Sequence, residues 1–174
     1  PFTFEPDEGM EWCKVKLPSG QTDWMHSSRI RLYFTEADLP QKPKKGEGVS
    51  GIDEHALRVT GIAYHTLARK AAQGDRDAQK KFFGLAETVD GAAAESFPED
   101  VITMVHVLGD EKLAAFLATQ PVPFLAGVRG RIFQALESPA VPPTYAKLHF
   151  PKTSALLLRQ EFVGWPSPDG RTWL

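Results

Sequence analysis

Five histidines and one cysteine are the residues of this 174-residue chain best suited to chemistry. His55 and His65 form no His-x-x-x-His or Glu-x-x-His pair that would set two ligands on one helical face. His106, with Glu99 and Asp110 nearby, falls in a mainly apolar stretch, and His149 lies between Leu148 and Phe150. Structural or surface roles are expected for all of these, with no metal and no cofactor. Cys13 sits on the apolar side of an expected strand, where a thiol usually packs inertly. A papain-like site needs a cysteine at a helix N-terminus and a histidine on a later strand, and neither is in place. Glu95, Glu99 and Asp100 cluster, but Glu99 and Asp100 read as first-turn helix residues that favour the helix dipole. Gly46-Glu47-Gly48 lacks the strand–helix context and the lysine of a phosphate loop. No catalytic residues are assigned, and the chain is not expected to be an enzyme.

Binding chemistry is better represented. Trp12, Trp24, His26, Arg29 and Arg31 combine aromatic planes with cationic donors. Such a set can stack on a sugar or a proline-rich peptide and pair with a carboxylate. The same tryptophans can instead close a core. A second candidate is the tail FVGWPSPDGRTW, where Trp165 and Trp173 either dock on their own domain or meet a partner.

The elements that must position these residues change period along the chain. In Glu11–Leu17, Cys13, Val15 and Leu17 alternate with Trp12, Lys14 and Lys16, which is a strand pattern. Pro18-Ser19-Gly20 is a turn. Short strands are expected at Trp24–His26 and at Arg29–Phe34. The stretch LPQKPKKGEG, from Leu39 to Gly48, reads as a linker. From Ser50 the period becomes helical. Ser50 with Asp53 resembles an N-terminal cap, and one helix is expected to run to Gln73, with Val59, Ala63, Leu67 and Ala71 on its inner face. Asp75 caps a second helix carrying Ala78, Phe82, Leu85, Ala86 and Val89. Pro98 is placed at the first turn of a third, with Val101, Val105 and Leu108 inside. Leu113, Phe116 and Leu117 mark a fourth, an apolar stretch follows from Phe124 to Leu136, and a final helix is expected over Thr153–Phe162. Gly74-Asp75 recurs as Gly109-Asp110, a spacing near one helical-hairpin repeat, so a hairpin stack and a plain bundle both stay open.

Composition sets limits. Twenty basic residues against 22 acidic ones give a net charge of −2. That balance argues against a general nucleic-acid binder, which carries a basic stripe. No run of about 18 apolar residues is present to span a membrane. A single cysteine rules out an intramolecular disulfide. It fits a reducing compartment, and equally a periplasmic protein that uses none. The chain begins at Pro1 rather than Met, which fits either removal of an upstream leader or a sequence that starts partway along a longer one.

Residues 11–35 resemble a bacterial SH3 domain. Trp12 and Val15 match the opening Trp-x-x-Val strand, Gly20 the turn, Trp24-Met25 the second pair, and Ser27-Ser28 the turn before the last strand. Asp23 stands where that family usually has glycine. With the SH3-like β module that the resemblance implies at 1–38, the linker at 39–49 and the α-helical bundle or hairpin domain read from periodicity at 50–174, an α+β fold is expected. The resemblance also implies an envelope-associated, periplasmic binding protein that recognises peptidoglycan or a peptide, with a cytoplasmic location as the alternative. Two other functions remain: a protein-interaction factor, such as an inhibitor or immunity-type partner, acting through the helical domain, and a disfavoured cell-wall hydrolase.

Overall fold

The switch to helical periodicity at Ser50 marks where the core begins to accumulate. The computed structural model of the chain describes residues 3–6, 12–16, 20–26, 34–44, 50–89, 91–136 and 145–158. Three short strands come first: β1 (Thr3–Pro6), β2 (Trp12–Lys16) and β3 (Thr22–His26), paired antiparallel in that order. Seven helices follow: α1 (Gly51–Thr60), α2 (Tyr64–Ala72), α3 (Arg76–Gly84), α4 (Gly91–Leu117), α5 (Val122–Leu136), α6 (Tyr145–His149) and α7 (Pro151–Leu157).

This corrects the α+β expectation. Every described residue of the hydrophobic core lies at Leu39 or beyond, and all of the core elements are helical. The strands form a three-stranded ribbon, and none of the described core residues lies on it. Period-two alternation near the N-terminus is genuine, but it spans too few residues to build a β layer. The strand expected at 29–34 lies outside the described residues up to position 33. The segment after it ties back to the helices: Phe34 meets the His106 ring at 4.9 Å, and Leu39 is buried in the helical core.

The expected 50–73 helix is two helices. Ser50 caps α1, its Oγ accepting from the Asp53 N–H at 3.2 Å. Gly61, at φ +72°, ends α1 in the left-handed region. Thr60 reinforces the break, its hydroxyl bonding back to the Ala56 carbonyl at 2.7 Å while accepting from the Ile62 N–H at 3.2 Å. The chain turns here, so Val59, expected on the inner face, is exposed, whereas Leu67 and Ala71 are buried.

Asp75 caps α3 through the Ala78 N–H at 3.0 Å, and Ala78, Phe82 and Leu85 are buried as their spacing suggests. Helix α4 begins at Gly91, so Pro98 lies inside it and not at its first turn. An internal proline loses one helical hydrogen bond. Burial offsets that loss: Phe97, 1% exposed, packs on Phe82 at 5.6 Å and on Tyr64 at 6.5 Å. Each fully buried aromatic of this kind contributes about 1.5–3 kcal/mol.

Helix α4 organises the body. It packs against α1, α2, α3, α5 and α7. In a stack of hairpins each unit touches only its sequence neighbours, whereas the two helical segments of α4, joined at Gly109, between them meet helices from both ends of the sequence, as in a bundle. At Gly109 the helix path breaks, with φ +68° and ψ 169°. The two Gly-Asp pairs therefore do different work. Asp75 caps its own helix, but Asp110 reaches across to α7 and accepts from the Lys152 and Thr153 N–H groups at 3.0 and 2.8 Å.

The backbone at Gly109 is a conformation that essentially only glycine adopts, and open space surrounds its missing Cβ. Gly109→Ala should therefore cost about 1–3 kcal/mol through backbone strain alone. Urea unfolding monitored by circular dichroism checks this, and an unchanged midpoint would contradict it.

Candidate functional site

Side chains with chemical potential in the helical body are largely committed to holding it together. Arg58 can only donate, so its contact with His55 Nδ1 at 3.0 Å makes that nitrogen an acceptor. The ring hydrogen is then on Nε2 and donates to Thr88 Oγ1 at 3.0 Å. Thr88 donates onward to the Leu85 carbonyl at 3.3 Å. In this tautomer His55 cannot take a proton from Thr88, so the pair is a strut between α1 and the 3₁₀ turn Leu85–Glu87, not a nucleophile and its base.

His106 is held in a comparable way. Its Nδ1–H donates to the Ile102 carbonyl at 2.7 Å, and Nε2 accepts from the Tyr145 hydroxyl at 3.1 Å. Phe150 meets the ring edge-on at 5.2 Å, and Tyr145 itself is 1% exposed. His149 packs on the Tyr145 ring at 4.4 Å. The cluster joins α4 to α6 and to the loop leading into α7, with its aromatic faces turned inward.

Asp100 and Tyr64 make the third such contact, the Tyr64 hydroxyl donating to Asp100 Oδ2 at 2.8 Å. Burial, then the Asp100 charge, push the Tyr64 phenol far above its ordinary range. Burial also raises the Asp100 carboxyl, although the Tyr64 hydrogen bond works in the opposite direction. Among the described residues no group of three or more His, Cys, Asp or Glu side chains could hold a metal ion.

The ribbon is arranged differently. Its register sets Trp12 opposite His26, Lys14 opposite Trp24, and Lys16 opposite Thr22. Direct cross-strand partners share a face, so Trp24 and Lys14 occupy the same one, while the side chains of Trp12 and His26 lie outside the described residues. Trp24 is 53% exposed. Lys14 is exposed beside it, and Glu5 lies across from Lys14 on β1. Cys13 falls on the opposite face, across from Met25. Of the remaining expected binding residues, Arg29, Arg31, Trp165 and Trp173 lie outside the described residues. Lys14 was not among the expected site residues. Its alternation with Trp12 was visible in the sequence, but only the strand register places it beside Trp24.

The His55 strut carries its own test. Thr88→Val removes the acceptor of a buried histidine N–H and should cost about 1–3 kcal/mol. Thermal unfolding of the two proteins measures this, and unaltered stability would show that the strut carries no load. No protein-family model, curated protein or solved structure matches the chain.

Proposed function

We propose that this chain is a non-enzymatic, envelope-associated binding protein whose ribbon recognises a carboxylate-bearing ligand, either peptidoglycan or a peptide. The observation that carries this reading is the exposed Trp24 indole, set beside Lys14 by the strand register. An exposed indole offers a flat apolar surface for a sugar ring or a proline, and a neighbouring ammonium pairs with a carboxylate. The resemblance of residues 11–35 to bacterial SH3 domains supports a cell-wall or peptide ligand in particular. Against catalysis stands the engagement of His55, His106 and Tyr64 in structural contacts. Among the described residues no helix is long and apolar enough to cross a membrane.

Action through the helical body, as an inhibitor or immunity-type factor, has one observation of its own. Leu57 and Val59 on α1 are 55% and 50% exposed.

Co-sedimentation with purified bacterial sacculi tests the first reading. Wild type should pellet, and Trp24→Ala should stay in the supernatant while its unfolding free energy changes by no more than about 0.5 kcal/mol. Pelleting that Trp24→Ala leaves intact, or no pelleting at all, would overturn the ribbon–peptidoglycan reading. In that case a pull-down comparing wild type with Leu57→Glu would test the helical body.

A further inference from the structure

Asp100 is a carboxylate placed where an amide would make the same hydrogen bond without a charge. It lies on α4 between Phe97 and Met104, both buried, and accepts from Tyr64 of α2, which is 2% exposed. The other groups acting on it are acidic too: Asp53 from α1 and Glu99 from α4 itself. Asp53 is already occupied, accepting from the Ser50 hydroxyl at 2.6 Å. Among the described residues no lysine, arginine or histidine pairs with Asp100. Three helices thus meet at a half-buried negative charge with no counter-ion, a costly arrangement at neutral pH.

We infer that Asp100 makes the α1–α2–α4 junction proton-responsive, so that the junction tightens on acidification, independently of what the ribbon binds. Protonation removes the repulsion between Asp100 and the Asp53 and Glu99 carboxylates. The protonated acid keeps an acceptor oxygen for Tyr64 and no longer strands a charge between helices. The linkage sign follows from burial, which raises the folded-state value of this carboxyl above its ordinary one. The stabilisation is complete below the ordinary value and is lost as pH rises through the raised one. Each pH unit between those two values changes the folding equilibrium about tenfold.

A carbon-13 titration of the side-chain carboxyls in the intact chain tests the inference directly. The Asp100 midpoint should lie above the ordinary aspartate value of 3.8. It should fall in Asp53→Asn, which removes a repelling charge, and rise in Tyr64→Phe, which removes the donor favouring the ionised form. Unfolding of wild type and Asp100→Asn should add a second reading: the stability of wild type relative to the variant rises as pH falls through that midpoint. A midpoint at or below the ordinary value would overturn the inference. So would a wild-type-to-variant difference that stays constant with pH.

Discussion

Helix α4 has to bury apolar side chains on several sides at once, and the rest of the fold answers that demand. Phe97, Val101, Met104, Val105 and Leu108 in its first part, then Leu113, Phe116 and Leu117 in its second, are all buried. One partner helix can cover only one stripe of such a surface. Helices α1, α2 and α3 pack on it from the N-terminal side of the sequence, and α5 and α7 from the C-terminal side. The bend at Gly109 lets both parts stay inside the same core and brings Asp110 to the start of α7. Stability in this body is therefore shared through the two segments of α4 that meet at Gly109.

That arrangement explains why polar residues capable of chemistry are found as fasteners. A buried polar group needs its hydrogen bonds met, and the cheapest partner is a group on a neighbouring helix. His55 reaches Thr88, Tyr64 reaches Asp100, and His106 reaches Tyr145, each contact spanning a different pair of elements. The ribbon follows another logic. It adds no described residue to the core, and the Trp24 side chain on β3 is 53% exposed. The segment holding Phe34 and Leu39 ties the chain after the ribbon to the bundle.

Much of the helical body was legible in the sequence. The Ser50 and Asp75 caps, and the stripes Ala78–Phe82–Leu85, Val101–Val105–Leu108 and Leu113–Phe116–Leu117, report local chemistry that tertiary packing did not alter. What was not legible depended on distant neighbours. Pro98 marks a helix start by local rules, but the aromatic cluster around Phe97 holds helix on both sides of it. Gly61 falls within the helix expected from Ser50 to Gln73, but its positive φ and the Thr60 hydroxyl bond to the Ala56 carbonyl end α1 there. The strand alternation around Trp12 was correctly seen, whereas the inference from it to an α+β fold went too far. Periodicity reports how a segment is built and says nothing about whether it enters the core. On the candidate site, only Trp24 of the expected residues has a described side chain, and its neighbour Lys14 needed the register to be found.

The most direct test of the division between a recognising ribbon and a structural bundle is a nitrogen-15 NMR titration with a soluble disaccharide–tetrapeptide fragment of peptidoglycan. The expected result is saturable shifts at the Trp24 indole N–H and at the backbone amides of β2 and β3, with α1 to α5 unmoved. Shifts centred on Leu57 and Val59 of α1, or none at saturating fragment, would contradict the account and move recognition to the helical body.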